Sequence, residues 1–328
     1  CAVATASATR AVASASATLN HERHPPSRRE RSTPSQVAMN AKLLLCLAAL
    51  PAAVDALGEF HAEELKTTCP TLVPLRLNQT NTAGSLMSTG TVAVLDSDYQ
   101  GSEKPAVIVV QEWWGLNEEH IKKAQKLAGA GYRALVPDLY KGKLGVEAEE
   151  ANHLMSELDF PTAVQEICTI AKWAKDTGAS TVGVTGFCMG SALALCALQA
   201  CDDIAAGAPF YGYAPQPAGC FDTTTSTKKP VLWSSGELDL FGGFSDPATA
   251  AKLEQELADA GNKDYTVKVY KGEIGHGFMN ESPEPYANET AKDEGFEAIG
   301  FDKTFYPYDA DVANAAWGSL FDFFEKYL

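Results

Sequence analysis

The sequence predicts an α/β domain with a largely parallel sheet and helices on both faces. Three observations carry that reading. Short β-branched or apolar runs alternate with helical stretches from residue 91 to the end of the chain. The run Ala106–Val110 (AVIVV) is apolar without alternation, which suits a strand buried on both faces of a parallel sheet. Residues 181–185 (TVGVT) lead through Gly186-Phe187-Cys188-Met189-Gly190 straight into an Ala/Leu-rich helix, a strand–tight turn–helix unit. No internal repeat is present, and right-handed crossovers are expected.

Taken in order, residues 57–90 are rich in Thr, Asn and Ser and read as a loop region with at most a short edge strand. Residues 91–95 read as a strand and 97–104 as a polar turn. After the AVIVV strand and Gln111-Glu112-Trp113-Trp114-Gly115, Asn117 is placed to cap a helix with Ile121, Ala124, Leu127 and Ala128 on one stripe. Residues 132–136 form the next strand, with Pro137-Asp138-Leu139-Tyr140 as its exit, and 141–158 read as a polar excursion. Residues 160–176 read as a helix turning Val164, Ile167, Ala171 and Ala174 inward. Beyond the Cys188 unit come a strand at 204–211 with a glycine kink and another at 230–234. A helix at 246–260, a strand at 265–270 and an amphipathic helix at 311–327 close the chain.

The Cys188 unit has a physical logic. A residue at the tip of so sharp a turn sits in strained backbone, and its neighbours must lack Cβ atoms for strand and helix to approach. The thiol then stands at a helix N-terminus, where the dipole and unpaired amides favour a thiolate. The competing reading is a buried structural cysteine, a common fate for this residue type.

Composition narrows the function. Residues 1–38 are Ala/Ser/Thr/Arg-rich and read as an upstream or targeting segment. Residues 39–56 show a basic start, a short apolar core and a small-residue ending, the order of a signal peptide. A single domain over 57–328 remains, large enough for one core. A net charge of −16 argues against nucleic acid and anionic membrane as partners. The expected location is the secretory pathway or beyond, with bipartite plastid targeting and the cytoplasm as alternatives, and the expected state is a monomer. Six cysteines lie beyond residue 56 without C-x-x-C spacing or a placed histidine, so no metal is expected; Cys201 with Cys220 is one conceivable disulfide. Asn78, Asn280 and Asn288 are glycosylation sequons, which fits an exported chain.

A nucleophile at an elbow needs a base and an acid that orients it, following in the chain order nucleophile, acid, histidine. His276 is the one histidine beyond Cys188, and it sits between glycines just after a strand. The acid should follow the 230–234 strand, in Gly236-Glu237-Leu238-Asp239. Asp239 is the first choice, Glu237 the second, and Asp246 reads better as a helix cap.

In chain order, Q-E-W-W-G, P-D-L-Y, G-F-C-M-G, P-F-Y-G, G-x-x-D and G-H-G-F resemble the dienelactone hydrolase family of the α/β-hydrolase superfamily, over roughly residues 85–328. The resemblance implies an α/β-hydrolase fold and a Cys–His–Asp triad that opens small esters or lactones through a thioester, without cofactor or metal. Cys188 is then the nucleophile, His276 the base and Asp239 its orienting acid. The amides of Met189 and Trp113 form the oxyanion hole, Glu112 contacts the resting thiol, and Trp114, Tyr140 and Tyr211 line the pocket. One departure stands out. The family arginine four residues after the histidine is here Asn280, and no arginine follows Arg133. A glycan at Asn280 would obstruct the site, so that sequon is expected to be unused. The alternative from another class is a scaffold without catalysis whose Cys188 senses oxidants.

Overall fold

The computed structural model describes residues 72–80, 86–98, 103–214, 228–283, 285–286, 288–298 and 308–328. The leader readings over 1–38 and 39–56, together with Cys69 and Cys220, lie outside the described residues. Among the described residues, eight strands form one sheet in the order β1-β2-β4-β3-β5-β6-β7-β8. β1 (Val73–Thr80) and β2 (Leu86–Asp96) pair antiparallel at one edge, and β2 runs antiparallel to β4 (Arg133–Pro137). The remaining pairings are parallel, through β3 (Ala106–Val110), β5 (Val182–Gly186), β6 (Ala206–Gly207), β7 (Val231–Gly236) and β8 (Tyr265–Tyr270). The sheet is mixed but largely parallel and packed with helices on both faces, as the sequence predicts.

The two-residue period of β3 divides the core. Ala106, Ile108 and Val110 pack on one face with α3 (Phe160–Asp176), α4 (Met189–Ala200) and α5 (Pro247–Asp259). Val107 and Val109 pack on the other with α1 (Glu118–Gly129) and α7 (Ala310–Tyr327). The caps follow the sequence: Asn117, Asp159 and Asp246 each accept a first-turn amide of α1, α3 and α5.

Five details differ from the sequence reading. The N-terminal loop region contains β1, a full strand on the sheet edge. The polar excursion holds α2 (Ala148–Glu157), whose Ala148, Ala151 and Leu154 form a narrow buried stripe that its many acids mask. The strand at 204–211 shrinks to two residues, because Pro209 has no N–H for the ladder; Phe210 resumes as isolated bridges to Phe187 and Ser234. Cys201 pairs with Cys168 rather than Cys220, tying α3 to the end of α4 with the two Cα atoms 5.1 Å apart. A further helix, α6 (Glu289–Ala298), precedes α7.

Candidate active site

Cys188 joins β5 to α4 at φ 53°, ψ −119°, a conformation that costs a side-chain-bearing residue about 1–3 kcal/mol. Close approach forces the flanking glycines. A Cβ on Gly186 would lie 2.1 Å from the Gly190 carbonyl oxygen, and one on Gly190 2.3 Å from that of Val110. The result is a half-buried thiol at the N-terminus of α4, free of any disulfide.

The acid and the histidine arrive on adjacent turns. Gly236, ending β7, packs so tightly on the histidine loop that a Cβ there would lie 2.2 Å from the Ile274 carbonyl oxygen. Leu238 then donates its amide to that same oxygen at 2.8 Å. This brings fully buried Asp239 against His276, whose Nδ1 lies 2.9 Å from Asp239 Oδ2. Asp239 Oδ1 accepts from the Ser245 hydroxyl at 2.8 Å and the Phe241 amide at 3.2 Å. His276 also hydrogen-bonds the Cys188 side chain. Burial pulls the imidazole pKa down, but the charges of Asp239 and Cys188 and the hydrogen bonds to both outweigh it and hold the ring well above its ordinary value. Glu237, the second choice for the acid, is instead on the surface with Lys271 at 2.8 Å and the Gly272 amide at 3.1 Å.

The other expected residues gather at the same end of the sheet. Met189 opens α4, where the helix geometry leaves its amide without an intrahelical acceptor. Trp113 and Trp114 follow β3, buried and edge-on to each other at 5.0 Å, with Trp114 also edge-on to Tyr286 at 5.8 Å. The Tyr140 hydroxyl lies 3.3 Å from Met189 Sδ, and burial and the nearby Cys188 push its pKa up. Tyr211 occupies positive φ (40°) and stacks edge-on at 5.0 Å against His276.

Glu112 has a different set of partners from the thiol contact the resemblance implies. Its Oε1 accepts from the Tyr211 hydroxyl at 3.1 Å and lies 3.5 Å from Lys123 Nζ, while Oε2 accepts from Asn280 Nδ2 at 3.1 Å. Burial alone would raise its pKa; the Lys123 charge, the Asn280 bond and the two nearby histidines reverse that and hold it below the usual carboxylate value. Asn280, in the place of the family arginine, hydrogen-bonds both Lys123 and Glu112. Sequence reasoning passed over Lys123 and Ser245. Lys123 lies outside the predicted stripe of Ile121, Ala124, Leu127 and Ala128, yet α1 buries Glu119, His120 and Lys123 with Ala124 and Leu127. Ser245 left no signal.

Among the described residues, no group of three His, Cys, Asp or Glu side chains is placed to hold a metal ion, and no helix is long and apolar enough to cross a membrane.

Residues 92–328 match the model of the Dienelactone hydrolase family. A candidate carboxymethylenebutenolidase of Aquifex aeolicus is 33% identical over 213 residues, 61% of this chain and 88% of that one. Protein usf of Aquifex pyrophilus is 31% identical over 235 residues, 68% of this chain and 89% of its own length. Among solved structures, a dienelactone hydrolase-like promiscuous phosphotriesterase from metagenomic libraries superposes with a TM-score of 0.55 at 19% identity, over 78% of this chain and 99% of that one. At that identity the likeness speaks for the fold alone.

Proposed function

The chain belongs to the dienelactone hydrolase family, and we propose that it cleaves small esters or lactones through a thioester on Cys188. The observation that carries this reading is His276, hydrogen-bonded at once to Asp239 through Nδ1 and to the Cys188 side chain at a strained elbow. Asp239 keeps the Nδ1 proton in place, so Nε2 is left to exchange a proton with sulfur.

His276 accepts the thiol proton as sulfur attacks the ester carbonyl carbon. The carbonyl electrons move to oxygen, and the amides of Met189 and Trp113 receive that oxyanion; one such donor is typically worth about 3 kcal/mol in the transition state. The intermediate collapses with cleavage of the carbon–oxygen bond, and His276 returns the proton to the departing alkoxide. Water, deprotonated by His276, then attacks the thioester, and the acid leaves as sulfur regains its proton. Trp114, Tyr140 and Tyr211 form the apolar walls against which the acyl group packs.

The rival reading, a redox-sensing thiol, needs only an accessible Cys188 and has no use for the Asp239–His276 pair. Turnover of p-nitrophenyl acetate by wild type, Cys188→Ala and His276→Ala separates the two. Both variants should lose turnover, and equal rates in all three would remove the enzyme reading. We further read the chain as folding in an oxidising compartment, a reading supported by the Cys168–Cys201 disulfide and by the signal-like stretch at 39–56. Fractionation of cells expressing the tagged full chain tests it, and tagged protein confined to the cytosol would contradict it.

A further inference from the structure

Lys123 projects from α1 into the protein with only 4% of its side chain exposed. Its ammonium stands 4.6 Å over the ring of Phe187, the residue before Cys188. It donates to Asn280 Oδ1 and lies 3.5 Å from Glu112 Oε1. Glu112 in turn accepts from Tyr211, whose ring packs against His276. The cluster therefore borders the site twice, beside the nucleophile through Phe187 and beside the base through Tyr211. It holds one cation and one anion, and its net charge is zero.

We propose that this site takes uncharged esters and excludes anionic ones, because Glu112 cancels the ammonium of Lys123 buried beside it. The inference rests on the thiol-hydrolase reading and adds the charge class of the substrate. An incoming carboxylate would shed its hydration and meet a buried ammonium that is already paired. It would also feel two buried carboxylates, Glu112 and Asp239. The rim offers little in compensation. Lys141 is taken by Glu166, and Lys143 is exposed to water, where a single ion contact is worth little. The rings around the base, Phe241 at 4.6 Å and Phe244 at 6.3 Å from the imidazole, suit an uncharged group instead. Glu112 is thus a specificity determinant. Removing its charge, with the side-chain shape kept, would leave Lys123 able to receive a substrate carboxylate.

The test compares two esters of similar shape, p-nitrophenyl hexanoate and the p-nitrophenyl monoester of adipic acid, which carries a carboxylate at the far end. In the wild type, kcat/KM for the hexanoate should exceed that for the adipate monoester by roughly a hundredfold, the scale expected for an uncompensated buried charge. Glu112→Gln should narrow that ratio about tenfold, and Lys123→Met should not narrow it. The ratio cancels any general loss of activity in the variants, and the wild-type comparison stands even where a variant does not fold. Equal turnover of the two esters by wild type, or an unchanged ratio in folded Glu112→Gln, overturns the proposal. Hexanoate turnover that survives in Cys188→Ala would instead sink the thiol-hydrolase reading, and this inference with it.

Discussion

Two buried ion pairs sit at opposite ends of the sheet, and they are built differently. At the amino end of β4, Arg133 meets Asp96 of β2, both with no exposed side-chain surface. The guanidinium grips the carboxylate through Nε at 3.1 and 3.2 Å and Nη2 at 2.7 Å, gives Nη1 to Thr177 at 2.8 Å, and lies 4.5 Å over Trp173. The geometry is closed, and the pair fastens the antiparallel edge to α3. At the carboxyl end, Lys123 and Glu112 are 3.5 Å apart and share Asn280, with Tyr211 on the carboxylate. An ammonium cannot make the fork-like grip of a guanidinium, so this pair recruits neutral partners that reach into the site. Among the described residues, the non-glycine residues with positive φ, Lys141, Cys188 and Tyr211, also follow β4, β5 and β6 at this end. Backbone strain and loosely gripped charge thus gather where chemistry is expected, while the opposite end is tightly bonded.

That contrast can be broken experimentally, beginning with the nucleophile. Cys188→Gly should abolish turnover, by about 10⁴-fold or more, yet raise stability by about 1 kcal/mol because glycine accepts the elbow's φ without strain. Urea unfolding beside the ester assay checks both halves, and a loss of stability would argue that the elbow stores no strain. At the other end the outcome should reverse. Arg133→Met leaves Asp96 buried without its partner and should cost about 3–5 kcal/mol, with turnover per folded molecule nearly unchanged. A wild-type melting temperature would remove its structural role.

Acid pH sharpens the comparison next. His120 is buried, with Nε2 on the Val109 carbonyl at 3.0 Å, and burial together with the Lys123 charge lowers its pKa to about 4. The unfolded chain, with an ordinary value near 6.5, binds the proton first. Stability should therefore fall as pH drops from about 6.5 towards 4, by roughly 3 kcal/mol, and His120→Gln should flatten that limb. His276 has the opposite sign. Its folded pKa is raised, so its contribution is complete below about 6.5 and is lost as pH rises through the folded value. Unfolding curves of His276→Asn against wild type should converge on the alkaline side. The smallest effect concerns Ser245, whose hydroxyl bonds Asp239 Oδ1 at 2.8 Å and lies 3.2 Å from His276 Nδ1. Ser245→Ala should lower kcat about tenfold, the worth of one hydrogen bond to a charged group, with KM unchanged.

The candidate site was legible where local chemistry dictates it. The glycines around Cys188 report a close approach that no other residue tolerates, and elimination among histidines left His276 alone. The sequence only ranks Asp239 above Glu237, and the structure puts Asp239 beside the imidazole and Glu237 beside Lys271. The inward turn of Glu119, His120 and Lys123 was not legible, because helical periodicity reads polar residues as a solvent face unless each has a partner inside. Those partners are Glu112 and the Val109 carbonyl, from the preceding strand and its exit, and Asn280, 157 residues on.

By itself the chain's order of residues determined the alternation of strands and helices, the buried central strands and the sharp bend at Cys188. All three are consequences of short-range sterics and periodic burial. Only the tertiary structure decided which cysteine joins Cys201, which charges cancel inside the protein and which hydroxyl supports the acid. Each of these depends on side chains 6 to 37 residues apart meeting within a few ångströms, and no local pattern encodes such a meeting.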